Sequence, residues 1–272
     1  MKEQIREIIA ETSDRIQARN FVREYLQART LQFLQETGVF RSWIFHGGTA
    51  LRLLYRMPRY SEDLDFALEK PDPTLDISSN LAKVSRFFEA EAYVIEVKTK
   101  EVRTVKSAFI RFPGLLYELR LSPRQTEKFS IKIEVDSNPP KGGTVETTIV
   151  RRYVTLHLLH YDKSSLLSGK LQALLTRPYA KGRDLYDIFW YLSDPEWPHP
   201  NLEYANSGLR QTGWTGPEIT RQNWTHVLER KLESIDWARV VKDVEPFIER
   251  TQDLKMLTKK NVLHLLRAKR NM

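Results

Sequence analysis

His46-Gly47-Gly48-Thr49-Ala50-Leu51, followed shortly by Arg59-Tyr60-Ser61-Glu62-Asp63-Leu64-Asp65-Phe66, is the stretch that decides the fold of this chain. The apolar run Trp43-Ile44-Phe45 leads into the glycine pair, and a good helix former over 49–57 leads out of it. That order predicts strand, tight turn and helix N-terminus, where unpaired backbone N–H groups and the helix dipole favour a phosphate. Pro58 is expected to end the helix. The next segment carries Asp63 and Asp65 among Leu64, Phe66 and Leu68. In a strand, residues two apart share a face, so both carboxylates point the same way, about 7 Å apart at their Cα atoms. Two such carboxylates beside a phosphate cradle are what a Mg²⁺–nucleotide site requires.

A Gly-Gly pair alone is usually a turn, and Asp-x-Asp alone is usually a solvated strand edge or loop. The two separated by one short helix form a much sharper signal. Gly-Gly-Thr-Ala-Leu-Arg-Leu-Leu-Tyr and Arg-Tyr-Ser-Glu-Asp-Leu-Asp-Phe resemble the first motif of the AbiEii/AbiGii family. Members of that family are nucleotidyltransferase-type toxins of bacterial toxin–antitoxin and phage-defence systems.

Composition bounds the rest. The chain has 272 residues, enough for one large or two modest domains, and 41% of them are hydrophobic, with 6 Trp, 11 Tyr and 12 Phe, so a packed core is expected. With no cysteine there are no disulfides or thiolate metal sites, and a reducing compartment is favoured. The first residues, MKEQIREIIAETSDR, are charged throughout and lack the apolar core of a signal peptide, and no run reaches the length of a membrane span. A soluble cytoplasmic protein is the expectation. The net charge of +8, from 43 basic and 35 acidic residues, fits a polyanionic partner such as RNA and equally a merely basic enzyme.

Taken in order, residues 2–18 and 20–37 show apolar stripes at helical spacing, with Gly38 as a C-terminal cap. A strand is expected over 39–45, and a helix over 75–92. β-like segments follow at 93–99, 105–112, 115–121 and 129–135, separated by Pro113-Gly114 and Ser122-Pro123. Short sequential strands predict an antiparallel or mixed sheet rather than a doubly wound one. Residues 138–153 read as a connection with a basic tail, and 154–160 as a strand. His157 and His160, three apart in that strand, are on opposite faces and poor co-ligands. From Ser164 onward the chain reads as helical, broken by a Pro-, Trp- and Gly-rich loop at 194–218 and ending in Arg267-Ala268-Lys269-Arg270, a basic tail for RNA contact or, the simpler reading, a solvated end. A boundary near residue 160 divides the chain into a core of 1–160 and a helical domain of 161–272.

A second polar face lies on Ile131-Lys132-Ile133-Glu134-Val135-Asp136, where apolar and charged residues alternate. Alone this is an ordinary half-exposed strand. Beside the strand of Asp63 and Asp65, about 4.8 Å away, Glu134 would complete a three-carboxylate metal site, with Asp136 as a substitute. The resemblance supports that pairing, because the family's second motif is Lys-apolar-Asp and Lys132-Ile133-Glu134 stands in its register, with Glu in place of the commoner Asp. Further on, Asp184 and Asp187 near a helix start, with Arg183 before them, read structurally as a capping and ion-pair cluster. The resemblance assigns them otherwise. An apolar helix bearing Lys170 matches the third motif, and Arg177, Lys181, Arg183, Asp184 and Asp187 match the fourth.

What the resemblance implies is a polymerase-β-like nucleotidyltransferase core of α/β (α+β) class, with a helical C-terminal domain completing the active site. Nucleoside triphosphate phosphates would lie near Gly47, Gly48 and Thr49, with Ser61 and Lys132 close by. Mg²⁺ would be held by Asp63, Asp65 and Glu134. Lys170 and Arg183 would steady the phosphates, Asp184 would hold the arginine in place, and Asp187 would orient Lys170 or the substrate. The implied acceptor is RNA, notably the tRNA 3′ end, and a cognate antitoxin is the implied partner. A phosphate on Ser61 would impair metal and nucleotide binding. His46 stands where relatives often carry Lys, which weakens phosphate attraction at pH 7. Two alternatives remain on sequence: transfer to a protein, and a non-catalytic RNA- or protein-binding role.

Overall fold

A computed structural model of the chain describes residues 2–102 and 104–270. The run Trp43-Ile44-Phe45 forms β1 (Trp43–His46) and is buried. Gly47, with φ of +78°, turns the chain directly into the helix, so α3 (Gly47–Tyr55) starts at the glycines themselves. Arg56 follows with φ of +58° and the chain returns as β2 (Asp63–Leu68). The expected strand from Val39 begins later: Val39–Arg41 form a 3₁₀ turn, closed by the amides of Arg41 and Ser42 on the carbonyls of Gly38 and Val39.

Before this lie α1 (Lys2–Ala10) and α2 (Arg15–Thr37). α1 is shorter than its stripe because Asp14 caps α2, accepting from the amides of Ile16 and Gln17, a cap of about 1 kcal/mol. Gly38, with φ of +81°, ends α2 as expected. After β2 come α4 (Ser78–Ala90), β3 (Glu96–Val102) and β4 (Val105–Pro113). Residues 115–121 form no strand. Gly114 turns left-handed at φ of +72°, and α5 (Leu115–Glu118) closes with Glu118 and Leu119 amides on the carbonyls of Gly114 and Leu115. Leu115 and Leu119 bury at helical spacing.

β5 (Lys128–Asp136), β6 (Val145–Arg151) and β7 (Thr155–Tyr161) complete a seven-stranded sheet of order β3-β4-β5-β2-β1-β7-β6. β6 lies within the stretch expected to be a connection; its β-branched Val-Glu-Thr-Thr-Ile-Val run carries the propensity. The sheet is mixed: β1 pairs antiparallel with β2 and parallel with β7, while β5 pairs parallel with β2 and antiparallel with β4. α2 and α4 pack together, and Val22, Leu26, Leu31, Leu34, Val84 and Phe88 supply buried apolar side chains.

The remaining helices are α6 (Lys163–Thr176), α7 (Gly182–Leu192), α8 (Leu202–Gln211), α9 (Trp224–Glu233), α10 (Trp237–Val244), α11 (Thr251–Met256) and α12 (Lys259–Arg270). α6 packs on α7 and α8, and α7 on α10. Gly182 is needed at the start of α7, since a Cβ there would stand 2.2 Å from the Val240 carbonyl oxygen of α10. The chain divides into two compact units. The first takes Met1–Leu54, Tyr60–Pro139 and Thr147–His160; the second takes Tyr55–Arg59, Pro140–Glu146 and Tyr161–Met272. Among the described residues no helix is long and apolar enough to cross a membrane.

Candidate active site

In the first unit the strand register brings the sequence-predicted carboxylates together. Asp65 of β2 is flanked by His46 of β1 and Glu134 of β5, and Asp63 pairs with Lys132. Cross-strand partners share a face, so His46, Asp65 and Glu134 form one row and Asp63 and Lys132 another on the same side of the sheet. Lys132 Nζ lies 2.7 Å from Glu134 Oε2, so β5 presents an internal ion pair beside the aspartates. Asp136, two residues on, is opposite Ala67 rather than an aspartate.

The glycine turn fits against this row. A Cβ on Gly47 would meet Asp65 Oδ2 at 2.2 Å, so only glycine lets the α3 N-terminus approach the carboxylate so closely. Thr49 is buried, and its hydroxyl donates to the Asp63 backbone carbonyl at 2.5 Å. Thr49 thus fixes β2 against α3, and what this turn offers a phosphate is backbone amides. Ser61 is half-buried, its carbonyl accepting from the Gln27 side-chain amide at 3.1 Å.

Crowded acids on a half-buried face raise one another. Burial, followed by the charges of Asp65, Glu62 and Glu134, pushes the Asp63 carboxyl up to about 6, with Lys132 opposing. Burial also raises Asp136, against its hydrogen bond from the Asn138 amide and the nearby His46 charge. Acids in this state are relieved by a cation. Among the described residues no group of three or more His, Cys, Asp or Glu is arranged to hold a metal ion. Asp63 and Asp65 could offer two hard oxygen ligands, and Mg²⁺ is an ion commonly held by one or two carboxylates with substrate phosphates and water completing its shell.

The second unit carries the other cluster. Arg59 donates to Asp187 through Nε and Nη2, both at 2.6 Å, a two-pronged fork with both side chains fully buried. Lys170 Nζ reaches Asp187 Oδ2 at 2.7 Å and Asp184 Oδ1 at 3.1 Å, and Arg177 pairs with the other Asp184 oxygen. Burial would raise the Asp187 carboxyl, but the Arg59 and Lys170 charges win and hold it below the usual range. Arg183 lies over the Phe247 ring, 4.5 Å from its centroid. Lys181 is exposed.

Two features escaped the sequence. Arg59 is the principal partner of Asp187, 128 residues away in sequence; the signal was an arginine directly after Pro58, beside a motif rich in acids that it does not serve. In the first unit, buried Glu24 accepts from Arg52 Nε at 2.6 Å and from the Tyr153 hydroxyl at 3.0 Å, and pairs with Arg152 at 2.7 Å. That network ties α3, and with it the glycine turn, to α2.

A mixed-sheet α/β core with two aspartates on one strand beside a glycine turn is the architecture of nucleotidyltransferases, and solved structures bear out the fold. MenT4, a nucleotidyltransferase toxin from Mycobacterium tuberculosis H37Rv, aligns with a TM-score of 0.56 at 15% identity, over 99% of this chain and 88% of its own. JHP933 from Helicobacter pylori aligns with a TM-score of 0.51 at 15% identity, over 93% of this chain and 92% of its own. Among curated proteins none matches significantly. The profile of the AbiEii nucleotidyl transferase toxins of Type IV toxin–antitoxin systems matches residues 29–257, and the chain belongs to that family. It is therefore a nucleotidyltransferase of toxin type, for which a nucleoside triphosphate substrate and an antitoxin partner follow from membership.

Proposed function

We propose that this toxin moves a nucleoside monophosphate from a nucleoside triphosphate onto RNA, at the 3′ end of tRNA, and thereby blocks translation in the cytoplasm. The observation that carries the reading is the juxtaposition of Asp63 and Asp65 with a helix N-terminus that only a glycine at position 47 permits. Asp63 and Asp65 would hold Mg²⁺, which would supply charge neutralisation on the phosphates and a more acidic acceptor hydroxyl. The α3 amides at Gly47 and Gly48 receive phosphate oxygens, and Lys132 adds a positive charge next to Asp63. The acceptor oxygen bonds to the α-phosphorus as the bond to pyrophosphate breaks, and its proton passes to a carboxylate of the cluster. In the second unit Asp184 and Asp187 hold Lys170 in place. Basic net charge gives slight support to RNA over protein as acceptor.

Controlled expression in bacterial cells tests this. Wild type is expected to arrest growth, with sequencing of tRNA 3′ ends showing added nucleotides, and Asp63→Asn is expected to do neither. Arrest by Asp63→Asn at equal protein level, with unaltered tRNA, would overturn the reading.

A further inference from the structure

The first unit has a second polar feature that the transfer site does not use. The N-terminal turns of α2 and the loop from Tyr117 to Glu127 enclose two adjoining grooves of about 510 and 770 Å³, which share Arg15, Ser122 and Pro123. Arg120 and Arg124 complete their basic lining. The acids of the grooves are taken: Glu118 pairs with Lys2 at 2.7 Å, and Glu127 pairs with Arg19. Arg15, Arg120 and Arg124 are exposed and make no ion pair among the described residues, so the net field of the grooves is positive. The loop is built rather than loose, with the Leu121 and Ser122 amides on the Leu116 carbonyl and the Arg124 amide on Ser122 Oγ at 3.1 Å. Arg120 holds a left-handed φ of +59°, rare for a residue with a Cβ. Tyr117 and Ile16, 48% and 56% exposed, stand at the rim.

From these grooves the α2 arginines extend to the residue before β2, along the face of the sheet opposite the carboxylate row. Arg15, Arg19 and Arg23 recur every four residues, so they lie along one side of α2 over about 12 Å. Arg23 reaches Glu62, the residue before Asp63, at 3.6 Å and lies over the Phe129 ring of β5. Glu127 stands one residue before β5 and five before Lys132, the partner of Asp63, about 17 Å of extended chain.

We infer that the Arg15–Arg120–Arg124 grooves and the α2 arginine stripe form the docking track of the RNA acceptor, taking a single-stranded segment by its phosphates with Tyr117 as a stacking surface. The inference rests on the transfer reading for its substrate class. A positive groove with an aromatic at its rim is the usual arrangement for single strands, and free guanidiniums suit phosphate better than they suit an apolar partner.

Fluorescence anisotropy of a short labelled single-stranded RNA, over a salt series, tests it. Replacing Arg15, Arg120 and Arg124 together by Gln removes three exposed charges. Affinity is expected to fall at least about tenfold, and the slope of log K against log salt by about 2, from roughly 0.7 per phosphate contact. Binding of a nonhydrolysable nucleotide and the melting temperature are expected to stay as in wild type, and the triple Lys variant is expected to keep most of the RNA affinity. A control with the same charge change on exposed Arg230, Lys255 and Lys260 is expected to bind RNA nearly as wild type. Unchanged RNA affinity and slope in the Gln variant would overturn the inference, as would an equal loss in the control, or loss of antitoxin binding with RNA binding intact. If wild type binds RNA through these arginines but transfers no label, the transfer reading falls and the track stands. If the Gln variant labels RNA as fast as wild type, the track falls and the transfer reading stands.

Discussion

Asp63→Asn is expected to make the metal-free protein more stable while abolishing transfer. Burial first, and then the crowding of neighbouring acids, hold the Asp63 carboxyl at about 6 against an ordinary 3.8, so ionisation at neutral pH works against the fold. At about 1.4 kcal/mol per pH unit, that opposition is at most about 3 kcal/mol, and roughly half that once solvent access to a half-buried side chain is allowed for. The sign follows from proton counting. Between pH 3.8 and about 6 the folded state binds more protons than the unfolded one, so wild-type stability falls as pH rises through that window and levels off above it. Asparagine keeps the shape and removes the charge. Thermal melts in EDTA are therefore expected to show Asp63→Asn higher by roughly 3–6 °C at pH 8, with the gap closing toward pH 4. Added Mg²⁺ is expected to raise the wild-type melting temperature and leave the variant unmoved. A variant no more stable than wild type at pH 8, or a gap that does not change with pH, would refute the crowding argument.

The second unit gives the opposite sign and larger losses. Asp187 is held below the usual carboxylate range, so it contributes stability above the unfolded value near 4 that is lost as pH falls through the folded value. Acid titration followed by circular dichroism should show that loss in wild type below about pH 4, whereas an Asp187→Asn protein with the same acid slope would contradict it. Arg59→Lys removes one prong of the fork on a buried carboxylate and is expected to lower stability by about 1.5–3 kcal/mol in urea unfolding. Arg59→Leu, which leaves Asp187 with Lys170, is expected to cost about 3–5 kcal/mol by the same method. Gly47→Ala places a methyl on Asp65 Oδ2 and forces φ of +78° on a residue with a Cβ, so transfer should fall at least about a hundredfold with a stability loss of about 1–3 kcal/mol. An active Gly47→Ala enzyme would show that the close approach is dispensable.

The first half of the site was legible because it is written in local periodicities. The two-residue alternation of Asp63-Leu64-Asp65 and of Lys132-Ile133-Glu134 fixes which side chains share a face, and parallel pairing of β2 with β5 then aligns them. The pairing itself came from family resemblance, since nothing local says that residues 65 and 134 are neighbours. The Arg59–Asp187 fork was not legible for the same reason: its partners meet only through the fold. Leu115–Glu118 misled because a short apolar run after Pro-Gly has no period of its own, and the left-handed Gly114 decided for a helical turn. β6 was hidden by its flanks, a Pro-Pro-Lys-Gly-Gly turn and a basic pair, although its own residues favour strand. Thr49 stands after the glycines, where a nucleotide contact is expected, and its hydroxyl donates to the Asp63 carbonyl.

The most direct measurement is transfer of label from each α-³²P nucleoside triphosphate to total tRNA in the presence of Mg²⁺, for wild type and Asp65→Asn. Labelled tRNA is expected with wild type, from one or a few of the nucleotides, and none with Asp65→Asn or with EDTA. Label on protein instead of RNA, or equal labelling by Asp65→Asn, would contradict it.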